Sequence, residues 1–105
     1  MVKVKSMISR KGNKVPNQFM IWSDEDCYFQ SYRSIIARVQ GYKYDNFKVV
    51  LDSNFWDYSR TTSEYLNQFL NHFKMTEEEH YLDKVNKKVI RKRIDEGIYF
   101  LGDLN

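Results

Sequence analysis

Cys27, His72, His80 and Glu77 are the side chains that nucleophilic or metal chemistry would call on in this chain. Glu77 and His80 stand at the i, i+3 spacing that carboxylate-bridged di-metal bundles use. Such sites need a second Glu–His pair and further carboxylates on other helices, and no second pair exists. The pair therefore reads as a solvated helix start, and no metal or other cofactor is expected. A lone Cys27 beside a strand reads as a small buried hydrophobe. A Cys–His nucleophile would need a His brought in from far along the chain. No strand–GxSxG elbow, P-loop or GxGxxG fingerprint occurs. A small enzyme is thus the disfavoured reading, and a non-enzymatic protein the expected one.

Two other clusters suit binding better than catalysis. Lys84, Lys87, Lys88, Arg91 and Lys92 fall on one broad face if 77–95 is a helix turning about 100° per residue. No acid within the segment 84–93 opposes them. Such a stripe suits contact with phosphates or an acidic protein surface. It equally suits a solvated face whose charge complements the helix dipole. Lys87, Lys88 and Arg91 are expected on its exposed side. The second cluster is "FWDYSR", 55–60. Tyr58 and Arg60 have the composition of an interface hot spot. Trp56 is expected to pack under the following helix as a staple. Tyr42 and Tyr44 flank Lys43 in a third, weaker cluster of the kind that stacks bases.

The elements that must position these residues follow from periodicity and turn chemistry. "QFMIWS", "SDEDC" and "YFQSY" predict a hairpin over 18–32. "SIIARV" (34–39) is strand or short helix by pattern, and "KVVLD" (48–52) is a strand. Four antiparallel strands over 18–52 are the economical reading. Thr61 and Glu64 form a capping-box pattern. Tyr65, Leu66, Phe69, Leu70 and Phe73 then mark one face of a helix over 62–73. Thr76-Glu77-Glu78-Glu79 repeats the capping signal. The stripe Leu82, Val85, Val89 and Ile94, with Ile90 at its edge, continues a basic helix to Gly97, a natural stop. "IYFLGDL" is a last strand or an extended tail. Residues 1–16, basic and free of acids, read as a mobile arm or as an edge strand with a loop.

The composition bounds the answer. The chain has 105 residues, 42% hydrophobic and 30% charged, which fits a single soluble domain with one core. A single cysteine excludes an internal disulfide and suits a reducing cytosol. No apolar run approaches the roughly 18 residues of a membrane span, and the N-terminus lacks a signal-type apolar region. The net charge of +3 is unevenly placed. Cations crowd 1–16 and 84–93, while acids cluster at Asp24-Glu25-Asp26 and Glu77-Glu78-Glu79. That patchiness concerns partners more than the net value does.

The segments "NQFMI", "YFQSYRSIIA", "VVLD", "WDYSRTTSEYLNQFL" and "EGIYFLGDLN", in that order, resemble a family of small uncharacterised proteins of phages and related bacterial mobile elements. The resemblance covers most of 17–73 and the C-terminus; residues 74–95 depart from it as a longer helical connection. It carries no catalytic residues. It implies a mobile-element origin and the cytosol of an infected bacterium, where small proteins of this class act by binding host machinery, anti-CRISPR and other anti-defence proteins among them.

These readings converge on an α+β domain: a small antiparallel sheet over 18–52, joined by 98–101, packed against the 62–73 helix, with a second, basic C-terminal helix. The expected function is binding of a host protein or nucleoprotein complex. The alternative is a small DNA- or RNA-binding regulator.

Overall fold

The structure, a computed structural model, describes residues 2–73 and 84–105. Six strands form one sheet in sequence order: β1 (Val2–Ile8), β2 (Lys14–Ser23), β3 (Asp26–Ser31), β4 (Ser34–Gln40), β5 (Lys48–Asp52) and β6 (Tyr99–Gly102). The first five form an antiparallel meander. β6 runs parallel to β5, with Val49 opposite Tyr99. A parallel neighbour requires a crossover, and this one contains helices α1 (Arg60–Leu70) and α2 (Lys87–Asp95). The α+β expectation holds, as do the four strands over 18–52 and the added C-terminal strand. The ambiguous "SIIARV" is strand.

Tight turns explain the meander. Asp24-Glu25 joins β2 to β3, with Asp24 at φ 55°; Asp tolerates this left-handed region because its short side chain can bond locally. Tyr32-Arg33 joins β3 to β4, with Tyr32 at φ 56°. A bulky residue is strained there. The Tyr32 N–H donates to the Asn17 carbonyl at 2.7 Å, and the Gln30 amide donates to the Tyr32 carbonyl at 2.7 Å, which fixes the conformation.

Residues 2–16 take the second of the two expected forms, an edge strand with a loop, rather than a mobile arm. Val2–Ser6 pair with Phe19–Ser23, and the register shifts before Ile8 meets Lys14. Pro16, which has no N–H to donate, falls inside that irregularity, where a missing ladder bond is tolerated.

One face of the sheet is buried under the helices. Phe29, Val39, Val49, Leu51 and Tyr99 from the strands meet Leu66, Phe69, Leu70 and Ile90 from the helices. The Phe29 and Phe69 rings stack at 5.7 Å between centroids. In α1 the buried positions are Thr62, Leu66, Phe69 and Leu70, one helical face at i, i+4, i+7 and i+8. Phe73 lies beyond the helix end but still packs on Phe69, at 5.2 Å. In α2 the buried residues are Ile90 and Arg93, so Ile90 is central rather than at the edge. Val85 is buried just before the helix. Gly97, at φ 74°, follows the α2 cap as a stop should.

The opposite face carries neither helix. The pairings place Val4, Ile21, Tyr28, Arg38, Val50 and Phe100 in one row across all six strands. Val4 is 57% exposed and Phe100 43% exposed.

Candidate functional site: a basic end of the sheet

Alternating strand direction gathers the 9–13 loop, the Tyr32-Arg33 turn and the 53–59 loop at one end of the sheet. Lys14 opens β2 there, and α1 begins there. Helix α2 is tied to the same end through Asp57 of the 53–59 loop. The Asp57 carboxylate accepts from the Arg91 guanidinium at 3.0 Å and forms an ion pair with the Lys87 ammonium. Arg10, Lys11, Lys14, Arg33, Arg60, Lys84, Lys87, Lys88 and Arg91 are all exposed. Arg10, Lys11, Lys14, Arg33 and Arg60 thus share one end, and Lys87 and Arg91 reach it through Asp57.

The acids at this end are largely occupied. Hydrogen bonds from Lys87 hold the Asp57 carboxyl below its ordinary value; burial opposes this, and Arg91 adds to it. Glu64 lies 3.6 Å from Arg10. Burial works to raise the Asp52 carboxyl, yet hydrogen bonds outweigh it and the net shift is downward. Those bonds come from the backbone N–H groups of Asn54, Phe55 and Leu104 and from the Asn105 amide. Arg60, Lys84, Lys88 and Lys92 have no ion pair with any described residue. Lys88 and Lys92 are neighbours at i, i+4 on α2.

Tyr58 follows Asp57 in the same loop, 50% exposed, its ring edge-on to Phe55 at 5.5 Å. Trp56 is half-buried against the core. The aromatic–Arg corner and the basic helix, separate in sequence, are therefore one surface joined through Asp57. The expectation that no acid opposes the basic stripe is corrected: the acid comes from the other cluster. Arg93, the last of the six cations in 84–93, faces inward. It donates to the Tyr99 hydroxyl at 2.7 Å.

The cap is also corrected. Ser59, not Thr61, precedes α1, and its hydroxyl accepts from the Thr62 N–H at 3.1 Å. Thr61 is exposed within the first turn, and Glu64 turns to Arg10 rather than back to a cap. The Thr62 side chain is used elsewhere, 2.9 Å from the Ser31 hydroxyl in the interior. Helix α2 is capped by Asn86, whose side chain accepts from the Val89 N–H. The capping signal at Thr76–Glu79, the Glu77–His80 spacing and Leu82 lie outside the described residues.

Catalytic geometry does not form around the candidates that can be placed. Cys27 is fully buried, and burial pushes its thiol up to about 12; a thiol so held is not a nucleophile. His72 is exposed. Among the described residues no group of His, Cys, Asp and Glu could hold a metal ion. Tyr42 packs edge-on to Phe73, and Tyr44 donates to Glu25 at 2.6 Å, which raises its pKa. The 42–44 cluster thus carries a carboxylate, Glu25, at its Tyr44 hydroxyl. The acids Asp24, Glu25 and Asp26 lie at the end of the sheet opposite the cations. Sequence reasoning missed Arg10, Lys11, Lys14 and Arg33 as members of the site; the acid-free run 1–16 was the signal for the first three, and Arg33 had none.

Among the described residues the architecture is that of an α+β domain with two helices on one face of a mostly antiparallel sheet. Residues 2–90 match the model of a family of unknown function (DUF8033), and the chain belongs to that family. No curated protein and no solved structure matches it. Among the described residues no helix is long and apolar enough to cross a membrane.

Proposed function

We propose that this chain is a non-enzymatic binding protein that docks through the basic end of its sheet on an acidic surface of a host protein or nucleoprotein complex. The supporting observation is that α2, which carries Lys88 and Lys92 exposed and without ion pairs to described residues, is fastened through Lys87 and Arg91 to Asp57, next to the exposed Tyr58 and close in sequence to the exposed Arg60. Exposed cations steer an acidic surface into contact and suppress wrong partners, and an adjacent Tyr adds contact area at small entropic cost. The finer reading is a phage-type protein in the bacterial cytosol that blocks a defence complex such as a CRISPR effector. Its support is the motif resemblance alone.

The alternative, direct DNA or RNA binding, uses the same cations. The two separate in a salt titration with random duplex DNA. Direct binding gives a log–log slope set by the phosphates neutralised, of order −0.9 per phosphate. The docking reading expects weak duplex affinity, and capture of a partner complex from bacterial lysate that is lost in Arg60→Glu/Lys88→Glu/Lys92→Glu. Undiminished capture by this folded variant would reject the basic end as the docking surface.

A further inference from the structure

We infer that the sheet face that carries neither α1 nor α2 is a second binding surface, and that it takes a single strand of nucleic acid by stacking bases on Tyr28, Phe19 and Phe100. Three observations support this occupant. The first is placement. Phe19 and Tyr28 lie on adjacent strands in diagonal positions, since Ile21 pairs with Tyr28 and Phe19 with Gln30. Diagonal neighbours stand about 7–8 Å apart, within reach of successive bases. Phe100 lies in the same row as Tyr28, three strands away, or about 14 Å at the usual spacing. Aromatics so spread over an open sheet are how sheet-type modules hold two or three unpaired bases.

The second observation is the pairing of aromatics with cations. The Lys48 ammonium lies 4.4 Å from the Phe100 ring centroid, and the Arg38 guanidinium 5.7 Å from that of Tyr28. An exposed cation–ring contact is worth less than base stacking on the same ring. A base therefore displaces the lysine, which is then free to meet the phosphate. Arg38 stays in place: its Nε and Nη2 both donate to Asp26, at 3.0 and 2.6 Å.

The third is continuity of charge: the exposed Arg33, in the turn that ends the strand of Tyr28, stands at the border of the face. An apolar protein partner has no use for that border, whereas a phosphate backbone leaving the sheet has. The inference rests on the binding-protein reading above only for the sign of the partner's charge.

The test is fluorescence anisotropy with labelled homopolymeric oligonucleotides of about 15 nucleotides, within the span such surfaces cover. Deoxy- and ribo-oligomers distinguish the sugar, and a duplex serves as control. Phe100→Ala and Tyr28→Ala should each weaken single-strand binding by roughly tenfold. They should leave duplex binding and the salt slope unchanged, because stacking releases no counterions. Tyr28→Leu, which keeps bulk and removes the ring, should behave like Tyr28→Ala and guards against misfolding. Single-strand affinity equal to the parent in all three variants would overturn the proposal. So would self-association of the parent that Phe100→Ala abolishes, since a second copy would then cover the face. Arg60→Glu/Lys88→Glu/Lys92→Glu separates the two surfaces: if it changes nothing while Phe100→Ala weakens binding, the sheet face stands and the basic end falls.

Discussion

Asp57 and Arg91, 34 positions apart, meet at 3.0 Å and fasten helix α2 to the loop that opens helix α1. Lys87 joins the same carboxylate. Cations on α2 are thus of two kinds, those that hold the helix in place and those that face solvent.

That division changes what charge reversal does. Lys87→Glu places a second carboxylate against Asp57 and should lower the urea midpoint. Lys88→Glu should stay within about 0.5 kcal/mol of the parent, as surface changes usually do. Equal midpoints for the two would show that the Asp57 contact contributes nothing. A triple reversal of Lys87, Lys88 and Arg91 is therefore a poor probe of binding, because it also loosens α2.

The cap assignment is decided by two alanine variants. Ser59→Ala should destabilise the domain by roughly 0.5–2 kcal/mol, the usual cost of a lost N-cap. Thr61→Ala should be near neutral, since alanine is the better helix former at an exposed first-turn position. A larger loss for Thr61→Ala, read from chemical denaturation, would restore Thr61 as the cap.

Phe69→Ala removes the ring stacked on Phe29 and touching Phe73. The expected cost is about 3–5 kcal/mol, a large part of the roughly 5–15 kcal/mol typical of a whole domain. A melting curve that overlays the parent's would contradict the assigned core.

Acid should unfold the protein through Asp52 and Asp57. Both carboxyls lie below their ordinary value of 3.8 when folded. Below about that pH the unfolded chain binds protons that the folded one still refuses. The stabilisation is complete above the ordinary value and is lost as pH falls through the lowered folded ones. Asp57→Asn should flatten this acid limb in a series of denaturant midpoints taken against pH; an unchanged limb would mean that the Lys87 and Arg91 contacts do not persist in solution.

Cys27 offers a reporter. Its thiol is fully buried and pushed up to about 12, so a thiol reagent at neutral pH should label it only as fast as the protein opens. Rapid stoichiometric labelling of the folded chain would exclude the buried placement.

The meander was legible because alternation and turn residues are local signals: "QFMIWS", "YFQSY" and "KVVLD" each carry their own evidence. The cap was not, because Ser59 and Thr61 both head acceptable capping patterns. What decides between them is Thr62, whose hydroxyl meets Ser31 across the core and so must already lie on the helix. The basic end was half legible. The stripe on α2 is visible as spacing, but its meeting with Asp57 depends on where the fold brings the 53–59 loop. Nor could the pattern say which face the helices take. Phe19, Ile21 and Tyr28 alternate with Met20, Cys27 and Phe29, and both sets are apolar enough to be covered.

The parallel join of β5 and β6 also sets an order of events. Strands β1 to β5 find their partners across short turns, whereas β6 must wait for everything between Asp52 and Tyr99 to be placed. Closing so long a loop is entropically slow compared with zipping a hairpin. The final strand should therefore dock last on refolding and let go first on partial opening. Its amides would then lose hydrogen-exchange protection before those of β2 to β4, leaving the edge of β5 briefly open to any extended chain nearby.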